Sequence, residues 1–296
     1  MVATRRTASW VLLGLLLLVG CSGSAERAGP DRGIRVASFD FAESRLLAEV
    51  YATALEQGGF RVDRHLALGP REVVAPALAQ DLVDLVPEYA GSALQFLSGQ
   101  AGRSADLRAA LDAALTRRGL TALRPAPGQD QNGVVVSRAL AEREQLETVS
   151  DLVPVAGRLV LGGPPECPER PLCLRGLEQR YGLAFSGFVP FPSRAATAEA
   201  LLAGQLDVGV LETVDPYLAD GRLVLLVDDR GLQPPEPVVP VLRQEVLVEH
   251  GPELARLLDR VSAALTTAAM TELNRQVVLQ GVSERDAAAA WLRGLD

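Results

Sequence analysis

"VDLVPEYAGSALQFL", residues 83–97, decides how this chain is read. Its first part is a short apolar run of strand length, and its last part returns to apolar residues in a helical stretch. Between them lies "PEYAGSA", where Tyr89 is followed at once by small residues. A buried strand running straight into a helix is the reading, with Tyr89 at the strand's mouth. The chain has only four tyrosines and 4% aromatic residues, so a tyrosine placed there is a candidate ligand contact.

Working outward, the same alternation recurs. "GIRVAS" (33–38) reads as a strand and "AESRLLAEVYATALEQGG" (42–59) as a helix closed by Gly58-Gly59. "FRVDRHLAL" (60–68) is the next strand, "PREVVAPALAQ" (70–80) the next helix, and "LRAALDAALTRRG" (107–119) continues the pattern. Strand, helix, strand in this order implies parallel pairing and an α/β layered domain. A second set follows "PGQDQNGVVVSR" (127–138): "GRLVLGG" (157–163), "LRGLEQRYG" (174–182), "ATAEALLAGQ" (196–205), "LDVGVLE" (206–212) and "RLVLLVDD" (222–229). "PPEPVVPVLR" (234–243) then crosses back to a helical tail whose longest element is expected over 252–277, packed on the first set. Two crossings between two α/β lobes predict a cleft with a hinge near 127–138 and 234–243. The expected division is lobe 1 over 34–130 plus 240–296, and lobe 2 over 131–239.

One internal correspondence places candidate residues. "ALAQDLVDLVPEY" (77–89) aligns with "ALLAGQLDVGVLE" (200–212), so that Asp84 matches Asp207 and Tyr89 matches Glu212. Ligands of open parallel sheets sit beyond the carboxyl ends of strands, which puts Tyr89 and Glu212 at a cleft from opposite sides.

The N-terminus precedes the folded body. "MVATRRTASW" carries Arg5 and Arg6, and "VLLGLLLLVG" is a short apolar run ending at Cys21. This predicts an export signal over 1–20. "LVGC" (18–21) resembles a bacterial lipobox, which implies lipidation at Cys21. Residues 21–33 are Ser, Gly, Ala, Pro and charge, the composition of a flexible tether. Cys167 and Cys173 in "PPECPERPLC" read as a local disulfide in an oxidising compartment. A zinc site is disfavoured because His65 and His250 stand alone. A net charge of −8 argues against nucleic acid, and the absence of lysine reflects composition rather than function. No nucleophile elbow, P-loop or dinucleotide fingerprint occurs. No catalytic residue, metal or cofactor is therefore assigned, and an enzyme is not expected.

The run from "VASFDFAESRLL" to "PEYAGSALQFL", with "LVLGGPPECPERPLC" and "DDRGLQPP", resembles the substrate-binding lipoproteins of osmoprotectant ABC importers, in their actinobacterial form. The resemblance runs from about residue 34 to the end. It implies a two-lobe periplasmic-binding-protein (type II) fold that closes on a quaternary amine such as glycine betaine, carnitine or choline. It also implies a monomer on the extracytoplasmic face of the membrane, delivering its solute to an ABC permease. The family holds a trimethylammonium head in a tyrosine cage and the ligand carboxylate by arginine, lysine, threonine and amides. By that pattern Tyr89 is a cage tyrosine, Ser92 keeps the hydroxyl at the helix start, and Arg170 is the arginine that grips the carboxylate. Departures are as informative. Phe39 replaces an expected lysine, and Asp130, Gln131 and Asn132 stand where a cage tyrosine is expected. Glu212 and Glu236 occupy two further cage positions, with Thr213 beside Glu212. The expected site is thus Phe39, Tyr89 and Ser92 facing Arg170, Glu212 and Thr213, less aromatic and more acidic than a betaine cage. The competing reading is a lipoprotein that keeps the fold with a degenerate cleft and serves as a signalling or assembly partner.

Overall fold

The computed structural model describes residues 32–99 and 106–295. The signal peptide expected over 1–20, lipidation of Cys21 and nearly all of the tether lie outside the described residues.

In chain order, β1 (Ile34–Ala37), α1 (Ala42–Gln57), β2 (Val62–His65), α2 (Arg71–Ala79), β3 (Leu85–Tyr89), α3 (Ala90–Ser98), α4 (Leu107–Thr116) and β4 (Leu120–Ala122) come first. The second group is β5 (Asn132–Ser137), α5 (Arg138–Glu144), β6 (Val160–Gly163), α6 (Leu174–Tyr181), β7 (Gly187–Pro190), α7 (Arg194–Leu202), β8 (Val208–Glu212) and β9 (Leu223–Leu225). β10 (Val238–Arg243), α8 (Gln244–Ala264), α9 (Thr267–Val278) and α10 (Glu284–Arg293) end the chain. Two five-stranded sheets result, ordered β2-β1-β3-β10-β4 and β7-β6-β8-β5-β9.

The expected parallel pairing holds on one side of each sheet, where β1 pairs with β2 and β3, and β6 with β7 and β8. It fails on the other. β10 runs antiparallel between β3 and β4, and β5 antiparallel between β8 and β9. Each sheet is thus completed by a strand that has just crossed from the other lobe. A crossing strand enters from the cleft end, opposite to its βαβ neighbours, which is why it pairs antiparallel.

The two sheets share one topology, and the aspartates of the internal correspondence show how. Asp84 Oδ2 accepts from the Arg35 backbone N–H of β1 at 2.9 Å, and Asp207 Oδ2 accepts from the Val160 N–H of β6 at 2.9 Å. In each lobe the aspartate before the central strand pins the first residues of its parallel neighbour. Tyr89 and Glu212 then close β3 and β8 at equivalent steps.

The first lobe's core is built on α1, where Leu46, Leu47, Val50 and Leu55 are buried, and the tail helices α8 and α10 pack against it. Tyr51 is fully buried with its hydroxyl 2.8 Å from Ser262 Oγ. The tail expected as one element over 252–277 is two. Helix α8 ends before Leu265, and Thr266 caps α9 by accepting from Ala269 N–H at 3.1 Å; a second interruption, at Gly251 with φ 71°, lies just before Pro252. The second core gathers the Cys167–Cys173 pair, Leu161, Leu177 and Tyr181. Asp228 accepts from the Tyr181 hydroxyl and from the Leu232 and Gln233 N–H groups. It fixes the loop that leads into the second crossing.

Candidate ligand-binding cleft

The two crossings lie side by side. Ala126 N–H donates to Val238 O at 2.7 Å, Asp130 N–H to Glu236 O at 3.1 Å, and Gln131 Nε2 to Pro234 O at 2.6 Å. This short antiparallel ribbon forms the floor of an open cleft of about 330 Å3. The walls are Phe41, Arg71, Tyr89 and Ser92 from the first lobe, and Arg170, Arg194 and Glu212 from the second. The volume suits one small solute.

Three carboxylates, from Glu43 on α1, Asp130 on the ribbon and Glu212 at the end of β8, bring oxygens within 4.8 Å of one another. Glu43 Oε1 accepts from the Tyr89 hydroxyl at 2.7 Å, and Oε2 from Asn274 Nδ2 at 2.9 Å. Glu212 Oε1 lies 2.7 Å from Arg194. Asp130 Oδ1 is buried, and no N–H or O–H donor of the described residues reaches it, which leaves a proton shared with Glu43 as its partner. Like charges in a dry site cannot all ionise freely. Burial, with the Glu212 charge second, pushes Glu43 up to about 7. Burial also lifts Asp130 well above the aspartate range, with Glu43 and Glu212 adding to it. Glu212 is raised by burial against the pull of Arg194. Tyr89 is raised by burial and by Glu43, so its hydroxyl stays a donor.

The expected residues fall into distinct places. Tyr89, Ser92, Asp130, Gln131, Asn132, Arg170, Glu212 and Glu236 line the cleft. Ser92 and Glu236 also engage each other. The Ser92 hydroxyl and N–H donate to the two Glu236 oxygens at 2.7 and 3.0 Å, so Glu236 caps the start of α3. The small residues of "EYAGSA" serve this contact, since a Cβ on Gly91 would stand 2.7 Å from Pro235 O and 3.0 Å from Glu236 Oε1. Arg170 is exposed and paired with Glu166 at 3.1 Å. Phe39 lies behind the cleft: its buried ring stacks 5.8 Å from Phe41, with the Arg71 guanidinium 4.9 Å above it. Thr213 also points away from the lining, its hydroxyl donating to Gln129 O and accepting from Gln131 N–H.

Sequence reasoning did not place Phe41, Glu43, Arg71, Arg194 or Asn274 in the site. Phe41, 36% exposed, carries the aromatic surface beside Tyr89, their ring centroids 6.0 Å apart. Phe41 and Glu43 were legible as an F-x-E opening of α1, and their spacing aims both at the cleft. Asn274 gave no signal. It reaches the cluster from the tail helix α9, donating to Glu43 and, at 3.2 Å, to Val214 O beyond β8.

A family model described as the substrate binding domain of ABC-type glycine betaine transport systems matches residues 32–294. The glycine betaine-binding protein YehZ of Escherichia coli (strain K12) is 27% identical over 296 residues, covering 94% of this chain and 95% of that protein. A glycine-betaine-binding protein of Pseudomonas aeruginosa is 28% identical over 297 residues, covering 94% and 93%. A crystal structure described as a glycine betaine/carnitine/choline ABC transporter superposes with a TM-score of 0.83, covering 89% of this chain and 100% of that one. At 22% identity that likeness is one of fold, a two-lobe binding protein with its cleft between the lobes.

Proposed function

The chain belongs to the family of substrate-binding domains of ABC-type glycine betaine transport systems, and from that premise we propose that its cleft closes on one small cationic or zwitterionic solute of the osmoprotectant kind, a quaternary amine or a relative. As a family member it is the extracytoplasmic solute-binding component of an ABC importer, working with a permease. Among the described residues no helix is long and apolar enough to cross a membrane.

The observation that carries the proposal is the convergence of Glu43, Asp130 and Glu212 beside Phe41 and Tyr89. Carboxylates and aromatic faces are the natural partners of an organic cation, and an aromatic face adds about 0.5–2 kcal/mol to a desolvated one. Arg71 and Arg170, paired in the empty cleft with Glu88 and Glu166, line the same cleft and supply guanidinium forks for a carboxylate at the other end of a zwitterion. Asp130, Gln131 and Glu236 belong to the ribbon on which the lobes would turn, with Tyr89 and Glu212 at the ends of the strands that approach each other. The protein is further proposed to be a monomer, lipid-anchored through Cys21, with Cys167 and Cys173 oxidised and with no catalytic step of its own.

Thermal shift of the mature chain against betaines, choline, carnitine, polyamines and sugars tests this. A cationic or zwitterionic solute should raise the melting temperature in proportion to the logarithm of its concentration. If no solute of the panel did so while a membrane protein was captured instead, the transport reading would give way to that of a partner protein with a degenerate cleft.

A further inference from the structure

We propose that the cationic head taken by this cleft carries at least one N–H, as a primary to tertiary ammonium, a guanidinium or an imidazolium does, and that it donates this N–H to Asp130 between Glu43 and Glu212. The proposal rests on the solute-binding reading and narrows its ligand class.

Both oxygens of Glu43 are served by neutral protein donors, Tyr89 Oη–H and Asn274 Nδ2–H. Glu212 has the Arg194 guanidinium. In the resting cleft Asp130 Oδ1 is closed off from solvent, and no N–H or O–H of the described residues reaches it; a proton shared with Glu43 is what can serve it there. A buried acceptor left bare is costly, and more so for a carboxylate oxygen. A trimethylammonium head offsets charge but presents only methyl groups, so with it bound this oxygen has to keep the proton it shares with Glu43. A head with one N–H serves it and offsets the charge together. The aromatic surface agrees, because Phe41 and Tyr89 make a corner with their rings tilted by 32°, where a fully methylated head would call for aromatic faces around it.

In the empty cleft the hydrogen able to occupy this position is a proton held between Glu43 and Asp130. Glu212, Arg194, Tyr89, Asn274 and Asp215 are the charged and polar groups around that pair. An entering ammonium supplies its own N–H, and the displaced proton leaves to solvent. Charge balances, since one bound cation replaces one bound proton. A divalent cation is the rival occupant. It fits poorly, because a hard cation wants six or more oxygens and Arg194 stands 2.7 Å from Glu212.

Two methylation series test the proposal by calorimetry on the mature chain at neutral pH: ethanolamine through its mono- and dimethyl forms to choline, and glycine through sarcosine and dimethylglycine to glycine betaine. The expected result is a loss of affinity of about tenfold or more at the last methylation, where the final N–H disappears. That loss should vanish in Asp130→Ala and shrink in Asp130→Asn, whose amide keeps one acceptor oxygen, with folding checked by circular dichroism. Binding of the N–H members should also release a proton, so that the observed enthalpy differs between phosphate and Tris buffers. Equal or tighter binding of choline or glycine betaine by the wild type would overturn the proposal and leave the solute-binding reading standing. Calcium alone raising the melting temperature and displacing the organic cation would overturn it in favour of a metal. Silence of both series would also overturn it, while the wider solute panel decides the transport reading separately.

Discussion

Raising the pH through the mildly acidic range should loosen the empty protein, through Glu43 together with its neighbour Asp130, which burial also lifts well above the aspartate range. Burial, with the Glu212 charge second, holds Glu43 at about 7 in the fold against 4.5 for an ordinary glutamate. A carboxyl raised on folding stabilises the fold fully below the lower value, and this contribution is lost as pH climbs through the higher one. The gap corresponds to about 3 kcal/mol at about 1.4 kcal/mol per pKa unit. Asp215, pushed up to about 6 by burial, acts in the same direction. The carboxylates held low, such as Glu272 at about 2 beside Arg275, lose their contributions only below this range and do not mask the slope. Urea unfolding of the solute-free chain between pH 4.5 and 8 should therefore show the midpoint falling by about 1 M. Glu43→Gln and Asp130→Asn should each reduce the slope, since an amide keeps an acceptor oxygen but binds no proton. A midpoint that stayed level or rose with pH, or a Glu43→Gln variant that kept the slope, would refute the reasoning.

Other expectations follow from single contacts. Glu236→Ala removes the oxygens that accept from Ser92 Oγ and N–H and should lower stability by about 2–3 kcal/mol. For a body of this size that is about 4–12 °C in melting temperature; a variant with unchanged melting but abolished solute binding would make Glu236 a ligand contact instead of a cap. Tyr89→Phe leaves Glu43 Oε1 without its 2.7 Å donor and should cost about 1–3 kcal/mol in unfolding at neutral pH. The paired change of Cys167 and Cys173 to serine opens the loop that carries Arg170 and should cost about 2 kcal/mol; mass measurement with and without reductant reads the oxidation state directly.

How far the fold could be read from sequence varied for physical reasons. The stretch 83–97 was legible because a buried strand leaves a compact apolar run and the helix after it starts on small residues. The Asp84–Asp207 correspondence was legible because both lobes solve the same problem, holding the first residues of a parallel neighbour. β10 was hidden by its prolines, which read as linker. Pro240 faces Pro87 in the antiparallel pairing, so neither asks the other for an N–H. Pro87 lies past the end of β1 and Pro240 past the end of β4, where the ladders have stopped. In the cleft, Tyr89 and Glu212 were found because strand ends are visible. Phe39 was expected in the cleft at the position of a lysine, but its ring turns into the core and Phe41 faces the cleft, because sequence alone does not say which aromatic of "SFDF" is buried. The acidic cluster was not legible as a unit, since Glu43, Asp130, Glu212 and Asn274 sit far apart along the chain and only the crossings bring them together.

The ribbon of the two crossings carries a consequence for how such a protein can change its diet. Asp130, Gln131 and Glu236 touch the cleft and also hold the two crossings to each other. In a tool with a separate handle and blade, either part can be replaced alone; here the pivot is also the sensor. A substitution that admits a new solute at Gln131 would also remove the side-chain amide that donates to Pro234 O, and so bear on the resting angle of the lobes and on the fraction of empty molecules that look loaded to the permease. New specificity is therefore more accessible at the walls, through Phe41, Arg170 or Arg194, than at the floor, where taste and posture are written in the same residues.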